Sequence, residues 1–497
     1  MKVVSPKRMT YLESEAYRDG SSPDDFMEEA GSGVALVAHE FVERYGLSRH
    51  VALLCGKGNN AGDAYVAGIH LLHLEYTVHA FQVPPLLETS PLAQKNAERF
   101  LNEGGQITEV KSEEDLKFPE SGLIIDGLFG TGFKGDVKDP YAYAIHAANE
   151  SGLIIIAVDI PSGLNGDTGE ASQATIQATQ TASLGLPKTG YFLRDGWDYT
   201  GSLQFIDFGM PREYIDDIEA DFNLLTADML IPLMPEMKRT RHKYEAGLVT
   251  GIAGPMAGAS LLSSLAALRS GAGIVKLYIP KGIEVSPIPL EIVRLPLDPK
   301  NLNTLIRDIN KSASFFIGPG LGTSPDARKL LKNVLPEVEV PTVLDADALN
   351  ILSETAIPLP KTCILTPHRG ELERLLKLPK EQKVTLDFLR VCQAYAEELQ
   401  VTLIMKGAPT FIFHPGSPLF VNSTGDPGMA TAGTGDILTG LVASFLAQKL
   451  LPQNAAYLAT FLHGLAGEHA AQEKTPYCMI ASDLLDYFPA AFAFESS

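Results

Sequence analysis

Cysteine is scarce and scattered. The 497 residues hold only Cys55, Cys363, Cys392 and Cys478, and no two lie at a spacing that suits a disulfide framework or a zinc knuckle. A reducing compartment fits that usage. Positive charge is also short: 40 Lys and Arg face 60 Asp and Glu, for a formal charge of −20. Nothing here forms the basic stripe that releases counterions from a phosphate backbone, so a nucleic-acid partner is excluded. Phosphorylated small molecules stay open, because backbone N–H groups at helix starts hold them without formal charge. Long apolar runs are missing too. Stretches such as Leu153–Val158 fall far short of the roughly 20 residues that span a bilayer, which argues against a membrane partner. The opening MKVVSPKRMTYLESEAYRDG has no apolar signal core, and a cytoplasmic location is expected.

What is present suits large cores. Hydrophobic residues make up 45% of the chain and charged ones 20%, a globular balance. The length exceeds the roughly 100–200 residues of one ordinary domain, so two are expected. VALLC (51–55), VHAFQV (78–83), LIID (123–126), LIIIAVD (153–159) and LQFIDFG (203–209) read as strands; 24–44, 64–75, 90–104 and 139–150 read as helices. Fully apolar strands alternating with helices indicate a parallel sheet covered on both faces. Acids at 213–221, then Pro232 and Pro235, then bases at 238–243 mark a connection between domains 1–215 and 225–497. The pattern then repeats. LVTGIAG (248–254), IVKLYIP (274–280), FFIGPG (315–320), PTVLDAD (341–347), CILTP (363–367) and VTLIMKG (401–407) are strand-like, and 434–449 and 453–472 are Ala/Leu-rich helices. The fold class expected is α/β throughout, with two three-layer αβα domains. No short-period repeat appears.

The strongest motif is GDPGMATAGTGDILTG (425–440). Gly433 and Gly435 let several N–H groups converge where a helix begins, an arrangement that holds an anion. Asp436 in the first turn can take a proton from an attacking hydroxyl. The plain alternative is a tight turn with a capping acid. GPGLG (318–322) and KGAPT (406–410) each end a strand, as does LDADALN (344–350) with Asp345 and Asp347; LTPHRGELERL (365–375) sets His368 before a helix with Glu371 in its first turn. Strand carboxyl ends are where open α/β sheets bind ligands.

These motifs, in this order, make residues 240–490 resemble the ADP/ATP-dependent NAD(P)H-hydrate dehydratase family, which has a ribokinase-like fold. Gly258-Ala259 and ALRSGAG (267–273) match as well, while Arg369 stands where the family commonly has proline. The resemblance implies that Lys406, Gly407, Ala408, Pro409, Thr410 and Gly435 contact the nucleotide. It sets Ala259, Gly322, His368 and the catalytic Asp436 against a hydrated nicotinamide cofactor, with magnesium accompanying ADP.

In the first half, CGKGNNAGDA (55–64), DGLFGTGFKGD (126–136) and VDIPSGLNGDTG (158–169) each follow a strand. Glycines 56, 58 and 62 are expected to open the first of these as a loop. Asn60, Asp126 and Ser162 are hard oxygen donors, suited to an alkali or alkaline-earth cation or simply to turns. Residues 1–212 resemble the NAD(P)H-hydrate epimerase domain, which is Rossmann-like; FMEEAG (26–31) is similar to its first-helix motif. The resemblance implies potassium on Asn60, Asp126 and Ser162. It implies hydrate contacts from Asn59, Asn60, Ala61, Gly62 and Asp63 and from Gly130, Thr131, Gly132, Phe133, Lys134, Gly135 and Asp136, with Asp159 as the acid–base residue. The family's loop reads Asn-Asn-Gly-Gly-Asp-Gly, and Ala61 and Ala64 replace two of its glycines. Alanine at a positive φ would cost about 1–2 kcal/mol.

The expected partners are therefore hydrated NADH or NADPH and ADP or ATP, and the expected assembly is a homo-oligomer. The alternative is a ribokinase-like small-molecule kinase carrying a non-catalytic Rossmann-like binding module.

Overall fold

The computed structural model describes residues 1–284 and 288–494. The chain forms two compact units, Met1–Phe222 with Lys383–Thr385 and Asn223–Gln382 with Leu386–Ser497.

In the first unit the strands run in the order Gln106–Glu109, Thr77–Gln82, His50–Cys55, Leu123–Gly127, Ile154–Val158, Gln180–Leu184, Ser202–Ile206. Every pairing is parallel. Side chains alternate across the sheet. Val51, Leu53 and Cys55 share one core with helices Pro23–Tyr45, Asn59–His73 and Pro91–Asn102. Ala52 and Leu54 share another with Tyr141–Glu150. The long helix Pro23–Tyr45 starts and stops for local reasons. Ser22 Oγ accepts from Asp25 N–H at 3.2 Å, proline occupies the first turn, and Gly46 ends it at φ +62°. The direction of chain progression reverses between His50–Cys55 and Leu123–Gly127, and a ligand crevice belongs outside such a switch point.

The strand Gln106–Glu109 and the helix Pro6–Arg18 were unread in the sequence, and two further details differ from it. The strand Gln180–Leu184 escapes an apolar-run search because its buried Thr181 and Ser183 are polar, and each is hydrogen-bonded: Thr181 to Thr200 O at 2.7 Å, Ser183 to Tyr191 OH at 3.1 Å. The helix expected from residue 64 begins at Asn59, so Asn59–Ala64 form its first turns and Gly62 does not open a loop. At Gly62 a Cβ would sit 2.5 Å from Met27 Sδ; glycine is there for close helix packing.

In the second unit the order is Phe222–Leu224, Phe420–Asn422, Thr410–Phe413, Thr402–Met405, Cys363–Leu365, Thr342–Leu344, Ser314–Ile317, Leu248–Ile252, Ile274–Pro280, Ile292–Leu297. The sheet is parallel except where Thr410–Phe413 pairs antiparallel with both of its neighbours. Val249, Phe316, Val343, Ile364 and Ile404 point into one core with helices Ala257–Arg269, Thr434–Ala447 and Pro452–Lys474. At Gly440 a Cβ would meet Ser263 O at 2.1 Å, so this glycine sets how closely the first two of those helices approach. Ile292–Leu297, unread in the sequence because Arg294 and Pro296 break its pattern, lies at the sheet edge where proline is tolerated. No helix among the described residues is long and apolar enough to cross a membrane.

Candidate active sites

In the first unit a cavity of about 650 Å³ opens at the switch point. Asn59, Asn60 and Asp63 enter it from the start of their helix, and Gly130–Lys134 from the loop after Leu123–Gly127. Asp159 enters from the end of Ile154–Val158, and Glu13 and Tyr17 from helix Pro6–Arg18. Ala61, Gly62, Gly135 and Asp136 do not line it. Ala61 and Ala64 are fully buried in the helix-side core, neither at positive φ, so the alanines that replace glycine carry no backbone strain. The Ala64 methyl has room because Gly127 faces it: a Cβ there would lie 2.7 Å from it.

Asn60, Asp126 and Ser162 come together beside this cavity. Ser162 donates its hydroxyl to Asp126 Oδ1 at 2.6 Å and its N–H to Oδ2 at 2.8 Å. Leu128 N–H adds a third bond at 3.2 Å. Asn60 Nδ2 donates to the carbonyls of Phe129 at 3.1 Å and Val158 at 3.0 Å, which fixes its amide. Burial pushes the Asp126 carboxyl up to about 6, against the pull of those donors. Its bonded neighbours are neutral, and among the described residues no side-chain cation pairs with it. Hard side-chain oxygens around an uncompensated buried carboxylate fit an alkali cation.

Asp159 has φ +63°, a conformation few non-glycine residues adopt. Its Oδ1 accepts from Leu184 N–H at 3.0 Å and from the ammonium of Lys188. Tyr191 donates to its main-chain carbonyl. Lys188, with its side chain 1% exposed, also donates to Leu184 O at 2.7 Å. Burial, and then the charge of Asp159, push Glu13 up to about 7, with Lys188 opposing. Asp63 is raised well above the carboxylate range for the same reasons, burial first. Glu13, Lys188 and Tyr191 carry no motif, and the sequence reading missed them.

In the second unit the Gly-Thr-Gly-Asp turn lies at the surface end of its helix rather than sealed in the core. Gly433 has φ +102° and precedes the first helical residue. A Cβ on it would meet Leu262 Cδ1 at 2.8 Å, so only glycine fits. Ser263 Oγ donates to Asp436 O at 2.7 Å. His463, from another helix, donates Nε2–H to Thr434 O at 2.9 Å, and burial lowers its pKa to about 4, leaving it neutral.

Four ionisable groups surround the turn. Lys406 Nζ donates to Asp345 Oδ1 at 2.6 Å, and Asp345 Oδ2 accepts from Thr439 at 2.8 Å. Asp345 occupies a helix N-cap position without capping: its side chain is committed to Lys406. Lys406 passes beside Gly435, where a Cβ would sit 3.0 Å from its Nζ. Burial weighs against the ammonium, yet Asp345, Glu371 and Asp436 hold its pKa above the usual lysine value. Asp436 is pushed up to about 7 by burial and then by Asp345, with Lys406 opposing.

The remaining second-half residues fall around this group. His368 caps its helix, Nδ1 accepting from Gly370 N–H at 3.0 Å, while Glu371 Oε2 accepts from His368 N–H at 2.9 Å. Arg369 takes the first helical position, where proline is equally at home, so His368 keeps its place. Gly322 N–H donates to Asp347 at 2.8 Å, and Gly318, Gly320 and Gly322 all have positive φ. Ala259 lies one residue from Ser260, whose hydroxyl ties its helix to Pro319 O at 2.6 Å. Gly407–Pro409 turn the chain between two strands, and the Thr410 hydroxyl is used on Gly407 O at 2.9 Å. A carboxylate tuned near neutrality beside a fixed ammonium and a helix start is an arrangement for phosphoryl transfer to a hydroxyl.

Fold and sites together define a two-unit α/β protein, a Rossmann-like layer followed by a ribokinase-like one. Residues 247–490 match the family model described as NAD(P)H-hydrate dehydratase, and residues 23–190 match that of the YjeF-related protein N-terminus. The bifunctional NAD(P)H-hydrate repair enzyme of Moorella thermoacetica is 36% identical over 93% of this chain and 91% of its own. That of Thermofilum pendens is 32% identical over 99% and 96%. A ribokinase-like superfamily protein of Enterococcus faecalis is 28% identical, with a TM-score of 0.50 over 56% of this chain and 98% of its own. The chain belongs to the bifunctional NAD(P)H-hydrate repair enzyme family.

Proposed function

We propose that the chain repairs hydrated NADH and NADPH. Its first unit, about 1–215, interconverts the R and S hydrates, and its second, about 225–497, uses ADP to dehydrate the S form, releasing phosphate and AMP. The observation that carries this reading is Asp436, a carboxyl tuned to about 7 beside Lys406 and the Gly433–Gly435 turn.

The hydrate bears a hydroxyl on the carbon next to the ring nitrogen, and hydroxide leaves poorly. Asp436 takes the hydroxyl proton as that oxygen attacks the terminal phosphoryl group, while the amides at the helix start and Lys406 offset the growing charge. The C–O bond then breaks toward phosphate as the ring-nitrogen lone pair forms a C=N⁺ bond. Loss of a proton from the adjacent ring carbon turns that C–H pair into the ring C=C, returns the C=N⁺ electrons to nitrogen and restores the dihydronicotinamide. Lys406–Thr410 and Gly435 hold the nucleotide; Ala259, Gly322 and His368 flank the hydrate. Magnesium, carried by the nucleotide phosphates, supplies charge neutralisation. Asp436→Ala should abolish nucleotide-dependent recovery of NADH absorbance while nucleotide binding persists. Repair at the wild-type rate would remove Asp436 from this role.

In the first unit Asn60, Asp126 and Ser162 hold potassium, which supplies the missing positive charge. Asn59, Asn60 and Asp63 with the loop residues Gly130–Lys134, which line the cavity, bind the hydrate, and Asp159 does acid–base work. Exchange of the two epimers should run several-fold faster in potassium than in a bulky organic cation at equal ionic strength. Equal rates in the two salts would remove the cation. A kinase would leave a stable phosphorylated product, so free phosphate without one separates the two chemistries.

A further inference from the structure

We propose that Glu13 is a second acid–base group of the first site, giving a proton to the ring hydroxyl of the hydrate while Asp159 takes one from the water that replaces it. This rests on the reading of the first unit as an epimerase. Glu13 lies on helix Pro6–Arg18, whose Met9, Leu12 and Ala16 are packed into a core with Phe26, Ala30 and Phe208. That packing fixes the helix, and Glu13 lines the cavity together with Asp63 and Asp159. Among the described residues its carboxyl has no hydrogen-bond or ion-pair partner. Asp63, only 7% exposed, faces the same cavity and is likewise unpartnered. Two carboxyls without partners in one concave site leave their bonding to an incoming ligand.

Asp159 is the contrast. Lys188 and the Leu184 N–H bond its oxygen, whereas burial and then the Asp159 charge push the open Glu13 carboxyl up to about 7. An unpartnered carboxyl raised by burial, facing one that is bonded to an ammonium, can serve as the acid of an acid–base pair in one site. The other charged or titratable groups facing Glu13 are Asp63, Lys188 and Tyr17, with Lys57 and Lys134 on the cavity lining.

The chemistry needs such a pair. Glu13 protonates the hydroxyl, the C–O bond breaks with its electrons going to oxygen, and the ring-nitrogen lone pair forms a C=N⁺ bond as water leaves. Water then adds to the opposite face, the C=N⁺ electrons return to nitrogen, and the proton of the new C–OH₂⁺ passes to Asp159. One water is lost and one gained, and one proton moves from Glu13 to Asp159. The reverse conversion uses the same pair with the roles exchanged.

The test uses the full-length chain with the R hydrate, ADP and magnesium, and separately the S hydrate. Glu13→Gln should lower kcat for R-to-S conversion at least about 100-fold with KM little changed, and leave S-hydrate dehydration at the wild-type rate. Wild-type conversion should fall as pH rises through about 7, where Glu13 loses its proton. Glu13→Asp, which keeps a carboxyl, should retain that limb and part of the rate. In H₂¹⁸O each inversion should exchange the hydroxyl oxygen. Conversion by Glu13→Gln at the wild-type rate, loss of rate through KM alone, or inversion with the original oxygen retained would each overturn the proposal. A wild-type chain that converts no R hydrate would instead overturn the epimerase reading on which it rests.

Discussion

Asp436 sits in the first turn of Thr434–Ala447, where burial first and then Asp345, Asp347 and Glu371 raise its pKa and Lys406 opposes them. The folded form therefore holds its proton up to about pH 7, whereas an unfolded chain releases it near the ordinary carboxylate value of 3.8. Between those values the native state binds more protons than the unfolded one, so its stability falls as pH rises through the window. Asp436→Asn removes that cost. At pH 8 its second unit should melt about 2–4 °C higher than wild type, equivalent to about 1 kcal/mol in a domain of this size. At pH 4 no such gain is expected, and the variant should not dehydrate the hydrate. Wild-type dehydration should rise with pH through about 7 as the carboxyl becomes a base. A variant no more stable than wild type at pH 8 would show that the carboxylate is not strained in place. Function here is kept at the expense of stability, as at many sites where like charges are gathered.

At the scale of elements, Asn59–His73 shows how a helix absorbs a departure from its family. Alanine at 61 and 64 looks disruptive if those positions belong to a glycine loop. In the folded chain they are helical, buried, and set against Gly127 and the neighbouring helices. Ala64→Gly should therefore destabilise the first unit by about 1 kcal/mol, the usual cost of glycine in a helix interior, and leave epimer exchange unchanged. A urea midpoint and an exchange rate measured on the same sample decide it. Faster exchange would mean that the methyl group crowds the hydrate. Gly58, Asn59 and Asn60 suit a loop and a helix start equally well, and in the folded chain Gly62 packs on Met27 while Ala61 and Ala64 are buried in the helix-side core.

At the scale of the whole molecule the two proposed sites draw on separate sets of residues, each set within its own unit. A chain with Asp159→Ala should still dehydrate S hydrate and fail on R beyond its slow uncatalysed conversion. A chain with Asp436→Ala should convert R to S and stop. Mixed together, the two variants should recover R-hydrate repair, because the S hydrate passes between molecules through solution. Failure of the mixture, with each variant keeping its remaining activity, would require a direct handover inside one chain.

The apolar strands, their alternation with helices and the glycine-bearing turns after them were determined by the sequence alone, because each depends on neighbours a few residues away. So was Asp436 as the acid of its turn. The polar strand Gln180–Leu184 and the proline-bearing edge strand Ile292–Leu297 needed the fold, since partners elsewhere in the chain satisfy what their own composition does not. Lys406 meets Asp345 across 61 residues, Thr439 meets Asp345 across 94, and Lys188 meets Asp159 across 29. Those meetings, with Glu13 brought over the cavity by a helix that has no motif, place the charges that act with burial on Glu13 and Asp436. Charge depends on burial and on neighbours in space, and only tertiary structure supplies either.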